Sequence, residues 1–313
     1  MQLISRLEQD SRLDRVVSAA QRAARLLRPG KARDALHGVW LGHPLHPVLV
    51  QAPAGAWLSA SILDLAGGDE KAARQLVAAG MIAAVPAAAA GAADWSEQHE
   101  QQMRVGVIHA AGNLAALGLY GASLMSRAPR LSRTLRLAGL AAVSASGLLG
   151  GHISFRLAGG ANHAEEVPHL VEPGWRHLMP AADLPEGKPE RQMIGEVPVV
   201  AIRSGETVHV LADRCSHMSG PLSGGELADG CLTCPWHGSV FRIADGSVAR
   251  GPATAPQPAF EVREVGGAIQ ICLPGAGLRR PAHVRAAVSR VGAQLNGTKG
   301  SSHGTFNHNS GQP

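Results

Sequence analysis

Two short segments concentrate the residues that bind soft metals. They are Cys215-Ser-His217 and, sixteen residues further on, Cys234-Pro-Trp-His237. Thiolates and imidazoles in one place suit zinc or an iron–sulfur cluster. Two Cys and two His are a common structural zinc set, but such sites take their Cys pair and their His pair from separate knuckles. Here each segment brings one Cys and one His. Two sulfurs can then hold one iron of a two-iron unit while two nitrogens hold the other. Glycines in Gly220-Pro221-Leu222 and Gly238-Ser239 let backbone amides approach a cluster closely. Four cysteines in 313 residues are too few for a disulfide framework, which favours metal ligation. Cys231 makes a C-x-x-C with Cys234, the spacing of a redox dithiol. With Cys234 committed to metal, Cys231 and Cys272 read instead as small buried strand residues.

A second set of candidates is made of histidines. His43 and His46 lie in Gly-His-Pro-Leu-His-Pro, and His109 and His152 stand in apolar surroundings far along the chain. Two imidazoles from separate helices can hold a b-type haem, and the pair favoured here is His109 with His152, with His43 or His46 able to replace either. The same groups could instead line a quinone or metal pocket. The bland reading is that they bond headgroups or cap helices, with Trp57 and Trp95 as interface anchors.

These residues need elements to position them. Four stretches, 47–66, 75–93, 105–125 and 137–155, carry one charged side chain between them, Asp64. Each is 19 to 21 residues long, and about 20 helical residues cross a bilayer's hydrocarbon core. Ala and Gly dominate them, which suits close helix packing in lipid. Pro53 and Pro86 are expected to kink their helices rather than end them. Up-and-down threading brings His43, His46, His99, His109 and His152 to one face, and ionisable groups at membrane depth are functional candidates. Asp64 falls near the other face, where Arg74 or Lys71 could pair with it. The histidine-bearing face carries ten Lys/Arg against six on the opposite one, which leans it toward the cytoplasm of a bacterial inner membrane. Ahead of the spans, residues 1–37 form a basic arm with a helical apolar stripe, stopped by Pro29-Gly30. It has no apolar run of a secretory signal, and suits either an anionic bilayer surface or packing on its own protein.

After Phe155 the chain turns polar. Residues 158–172 read as a linker, and short β-type runs follow at 197–202, 208–211, 239–243, 260–264 and 268–273, separated by Gly, Pro, Asp and Ser. Residues 275–313 read as a disordered tail in which His303 and His308 are inert. The overall 45% hydrophobic and 17% charged composition with mean hydropathy +0.02 averages two unlike halves. It excludes disorder, collagen and small disulfide scaffolds as classes. A net charge of +5 is modest for a nucleic-acid binder, and no nucleic-acid partner is expected.

The run from about Trp175 to Leu273 resembles a Rieske-type ferredoxin domain, with CSHMSGPLSGG and CPWHGSVF as its cluster-binding boxes. That resemblance implies a [2Fe–2S] cluster with Cys215 and Cys234 on one iron and His217 and His237 on the other. High-potential Rieske proteins carry a disulfide beside the boxes. Gly220 and Trp236 occupy those positions here, so the chain resembles the ferredoxins of ring-hydroxylating oxygenases and nitrite-reductase small subunits instead. Ser239 retains a hydroxyl for a cluster sulfur, while Phe241 stands where high-potential proteins have a Tyr. Fewer hydrogen bonds to sulfur put the expected potential in the lower part of the range of about −150 to +300 mV. Residues 38–157 resemble an uncharacterised bacterial family of four-span membrane domains beginning with a His-Pro-x-His-Pro turn.

The expectation is a mixed fold: an all-α four-helix transmembrane bundle, residues 38–157, followed by a small all-β Rieske-type domain, residues 173–274. Its function would be membrane-tethered electron transfer with a redox partner protein or quinone. Alternatives are a quinol-linked oxidoreductase and a membrane redox sensor. There is no room for an oxygenase catalytic domain, and no G-x-G-x-x-G opens a helix for NAD(P)H.

Overall fold

The computed structural model describes residues 2–26 and 28–275. The expected polar tail, with His303 and His308, lies outside the described residues. The N-terminal arm is not one helix. It folds as α1 (Gln2–Gln9), a 3-10 turn at Ser11–Leu13 and α2 (Asp14–Ala24). Asp10 causes the break by accepting both the Arg12 backbone N–H, at 3.1 Å, and its guanidinium, at 2.9 and 2.8 Å. Of the two readings of the arm, the structure takes packing on its own protein. Arg104 donates to Asp14 at 2.7 Å and to the Glu8 carbonyl at 3.0 Å, and Gln21 donates to the Ser96 carbonyl at 2.9 Å. A further helix, α3 (Lys31–His37), holds Arg33 against Glu97 and places His37 Nδ1 2.8 Å from Asp94.

The bundle follows as α4 (His46–Leu49), α5 (Gln51–Ala66), α6 (Glu70–Trp95), α7 (Glu100–Met125) and α8 (Pro129–Gly151), the last running on as a π turn at His152–Arg156. Four helices are long and apolar enough to cross a membrane: His46–Ala66, Glu70–Trp95, Glu100–Met125 and Pro129–Arg156. Pro53 falls in the first turn of α5, where no intrahelical donor is lost, and Pro86 sits inside an unbroken α6. Helices α5 and α6 pair closely, as do α7 and α8, and the two hairpins meet through a stacked Trp57–Tyr120 pair with centroids 4.6 Å apart. Trp57 is thus not an interface anchor but core, 4% exposed, and its indole donates to the Val77 carbonyl at 3.4 Å. Gly80 makes the room, since a Cβ there would fall 2.4 Å from the indole nitrogen. Leu58, Ile62, Leu65, Ile82, Val85 and Leu114 point outward.

Asp64 pairs with neither Lys71 nor Arg74. Its carboxylate takes a bidentate bond from the fully buried Arg136 at 2.5 and 2.6 Å, and Glu70 takes the same guanidinium at 2.7 and 2.9 Å. Arg74 instead donates to the Ser123 and Leu124 carbonyls that end α7. The reason is distance along the bundle: Arg136 lies two turns into α8, level with Asp64, whereas Arg74 is level with the α7 terminus.

Residues 158–172 contain α9 (Val167–Leu170), and Ala164, Val167 and Val171 join the core of the sheet that follows. That sheet and its smaller companion comprise β1 (Arg176–Pro180), β2 (Glu190–Ile194), β3 (Val197–Ser204), β4 (Thr207–Ala212), β5 (Glu226–Ala228), β6 (Cys231–Thr233), β7 (Val240–Arg242), β8 (Val248–Arg250), β9 (Ala259–Val265) and β10 (Ala268–Cys272). The large sheet has the order β1-β10-β9-β4-β3-β2 and the small one β5-β6-β7-β8. Cys231 and Cys272 lie in strands but are half-buried rather than buried, and both are free thiols. The architecture is the expected mixed one, a helical N-terminal region with four candidate membrane helices and a β domain behind it.

Asp64→Ala should leave a buried guanidinium short of one partner. The expected cost is about 3 kcal/mol or more, read as a fall in the denaturation midpoint in detergent. Lys71→Ala should leave that midpoint unchanged.

Candidate metal centre

Two loops build the site, one joining β4 to β5 and the other joining β6 to β7. Each is the same turn made twice. Cys215 N–H donates to the Gly220 carbonyl at 2.8 Å while Ser219 N–H donates back to the Cys215 carbonyl at 2.8 Å. Cys234 N–H donates to the Ser239 carbonyl at 2.8 Å while Gly238 N–H donates back to the Cys234 carbonyl at 3.1 Å. Both turns close through a left-handed residue, Ser219 at φ 61° and Gly238 at φ 72°. The loops also touch. A Cβ on Gly220 would stand 2.9 Å from Cys234 Sγ and 3.0 Å from the Trp236 ring, so only glycine lets them approach this closely.

Buried polar side chains hold the first loop in place. Gln257, 1% exposed, accepts from Ser216 N–H at 3.0 Å and donates to the Ala212 and Arg214 carbonyls at 2.7 and 2.5 Å. Asp213 accepts from Ser223 N–H at 2.6 Å, and Ser216 Oγ donates to the Ala255 carbonyl at 2.7 Å. On the second loop Ser239 Oγ accepts from Ala253 N–H at 3.0 Å, which leaves its own hydrogen to give. Phe241 is fully buried in the core beside Cys215 and Cys234. Trp236 is half exposed.

The chemistry of the four converging side chains fits a bound cluster. Cys215 and Cys234 share a hydrogen bond, which pushes the Cys215 thiol up and brings Cys234 down to about 6. One thiolate is thus already formed near neutral pH. Burial, then the neighbouring His237, holds the His217 imidazole well below its ordinary range. Burial, then His99, brings His237 down to about 4. Both rings are therefore neutral ligands at pH 7. His217 Nδ1 is buried without any hydrogen-bond partner, a cost that a metal bond removes. The two ring centroids are 5.0 Å apart. Two imidazoles on one tetrahedral metal, at bonds of about 2.1 Å, have centroids about 5.3 Å apart.

The helical region reaches the histidine side of the site. His99, at the N-terminus of α7, places its ring 5.7 Å from Trp236 and 6.0 Å from His237. Gly251 N–H donates to Asp34 Oδ1 at 3.0 Å, and His163 N–H donates to the Ser216 carbonyl at 2.9 Å. Gln257 carries no sequence signal of a role here, since it arrives through contacts distant along the chain, whereas His99 is one of the histidines that the threading of the helices brings to this face. The remaining candidate histidines separate. His43 is exposed and bonded to the adjacent Pro44 carbonyl, and His152 Nε2 is 2.7 Å from Glu8 of the arm. The ring that faces His109 is His46, not His152, with centroids 6.5 Å apart.

Residues 174–261 match the Rieske [2Fe–2S] domain family, and residues 42–163 match the family described as a predicted membrane protein, DUF2231. The anthranilate 1,2-dioxygenase ferredoxin subunit of Burkholderia cepacia is 30% identical over 31% of this chain and 90% of its own length. The 3-phenylpropionate/cinnamic acid dioxygenase ferredoxin subunit of Escherichia coli K12 is 38% identical over 32% of this chain and 94% of its own. The chain belongs to the Rieske family. A solved ferredoxin of carbazole 1,9a-dioxygenase from Nocardioides aromaticivorans aligns with 32% of the chain and 97% of its own length, at 23% identity and TM-score 0.31. The Rieske domain here is thus joined, at its N-terminal side, to a membrane-type domain.

Gly220→Ala should separate the Rieske loops and lower cluster content in the purified protein, read as iron and sulfide per chain. In cluster-free protein the two imidazoles are neutral when folded but protonate near 6.5 when unfolded. The unfolded state then binds more protons, so stability falls as the pH drops below 6.5, and the share due to His237 is complete near 4, where its folded ring also protonates. Urea midpoints across that window should show this slope, and His237→Ala should flatten it.

Proposed function

We propose that this protein is a membrane-tethered one-electron carrier. The observation that carries the reading is the twin turn that presents Cys215, His217, Cys234 and His237 together, with an orphaned nitrogen on His217. In this reading Cys215 and Cys234 hold one iron and His217 and His237 the other. Bound there, a [2Fe–2S] cluster supplies one-electron oxidation and reduction. Gly220 admits the close approach of the loops, Trp236 packs against Gly220, and Ser239 has a hydrogen free for a sulfur. Buried Phe241 offers none, which supports a potential in the lower part of the Rieske range.

The partner is a redox protein or a quinone. The ferredoxin relatives are subunits of dioxygenases by name, which supports exchange with another redox protein. Tethering rests on the four apolar helices and the domain family they match. The count of basic residues favours a bacterial inner membrane with the Rieske domain on the cytoplasmic side. Of the histidines proposed for a haem or quinone, His43, His46, His109 and His152, the 6.5 Å between the ring centroids of His46 and His109 supports that pair.

Reduced full-length protein should give the electron-paramagnetic-resonance signal of a Rieske cluster, and His217→Ala should lose it. Zinc in stoichiometric amount with no iron would end the electron-transfer reading. Ser239→Ala should keep the signal and lower the midpoint potential, measured by redox titration, because one hydrogen bond to the reduced cluster is lost.

A further inference from the structure

His46 opens the first apolar helix, and His109 lies in α7. The Nδ1 of His46 is 2.8 Å from the Ala87 carbonyl of α6, and the Nδ1 of His109 is 2.8 Å from the Ser146 carbonyl of α8. A carbonyl oxygen only accepts, so in each ring Nδ1 carries the proton and Nε2 keeps its lone pair. That is the tautomer of a metal-ligating histidine oriented by a backbone oxygen. Both rings lie close against helix backbone at a glycine. A Cβ on Gly91 would lie 2.8 Å from His46 Nδ1, and one on Gly150 would lie 3.2 Å from His109 Cε1. Each ring is therefore tied to a different helix hairpin, His46 to α5–α6 and His109 to α7–α8.

The separation of the rings selects a ligand. Two imidazoles on opposite sides of one metal, at bonds of about 2.1 Å, have centroids about 6.5 Å apart, against about 5.3 Å at a tetrahedral angle. The observed 6.5 Å, with the planes at 85°, fits the opposed arrangement, whereas the 5.0 Å between His217 and His237 fits the tetrahedral one. A metal with two opposed axial nitrogens needs equatorial donors as well. Ala87, Gly91, Asn113, Ser146 and Gly150 lie against these rings, and among the described residues no third His, Cys, Asp or Glu joins the pair. The metal must bring its own. We propose that His46 and His109 are the axial ligands of a b-type haem held between the two helix hairpins.

Asn113 now donates to His109 Nε2 at 3.1 Å, and also to the His109 carbonyl at 3.0 Å. It keeps the second bond when the nitrogen is taken by iron. His99, beside the Rieske site, is ten residues from His109 on the same helix, a rise of about 15 Å. A haem here lies on the side of the bundle from which the Rieske domain is held. The proposal deepens the electron-transfer reading in purpose, but the ligation stands independently of it.

The test uses the full chain, produced with added haem precursor and purified in detergent, with a second portion incubated with haemin. The pyridine-haemochrome assay should give about one haem b per chain. The oxidised spectrum should be low-spin, with the strongly anisotropic resonance signal of near-perpendicular axial planes. His46→Ala and His109→Ala should each lower the low-spin haem content about tenfold or more, while His43→Ala and His152→Ala retain it. The Rieske signal, measured in every variant, reports that the chain is folded. Absence of haem in both portions with the Rieske signal present overturns the proposal. So does a high-spin spectrum, wild-type haem content in His46→Ala or His109→Ala, loss on His152→Ala, or zinc or copper alone at the site. Haem bound without a Rieske signal would instead overturn the reading of the cluster and leave this one intact.

Discussion

The site depends on how closely two loops from different hairpins can approach. Gly220 lies where a single methyl group would meet Cys234 Sγ and the Trp236 ring. Remove that contact and the two Cys–His pairs belong to separate turns. Each turn is independently stable in form, because its cysteine both gives and receives a backbone hydrogen bond. What the fold adds is their juxtaposition. Gln257 and Asp213 supply it by taking up the polar groups that a bent loop leaves unpaired in a buried place. The sheet behind them positions two rigid turns and asks nothing chemical of its strands.

The helical half solves a different packing problem with the same residue. Ala and Gly let α5 and α6, and α7 and α8, come together, but a bundle of small side chains alone has little to register one hairpin against the other. Trp57 stacked on Tyr120 gives that register, with Gly80 against the Trp57 indole and Gly139 against the Tyr120 ring. At the far end, the Arg136 guanidinium shared by Asp64 and Glu70 fixes the same two hairpins by charge. His46 and His109 lie on the other side of the Trp57–Tyr120 pair from this charge cluster, each 11 positions ahead of one of its rings along the chain.

Much of this was legible in the sequence, and the exceptions share a cause. The long strands β3, β4, β9 and β10 alternate or run apolar, so they stand out. β1 and β2 do not, because they are the two edges of the large sheet and carry polar or charged residues and a proline, as edges do. The strands β5 to β8 are three residues long, and of them only β7 stands out, inside the run 239–243; the others are too short to show a period. The four candidate ligands could be singled out from the sequence because the two boxes are local, and the structure brings them together. The approach of His46 to His109, which the sequence offered only as a replacement for His152, is decided by residues far away. Glu8 of the arm claims His152 across 144 positions, which leaves His46 as the ring opposite. Asp64 was misassigned for the same reason, its true partner being 72 positions on.

The contacts between the halves also determine how the protein meets others. The Rieske domain is fastened through Asp34 to Gly251 and through His163 to Ser216, and its core continues into residues 164–171 without a free tether. A head held this way does not swing between donor and acceptor. Its partners must come to it. Exchange through a centre held this way is set by how often a partner reaches one fixed face, rather than by the reach of a moving arm.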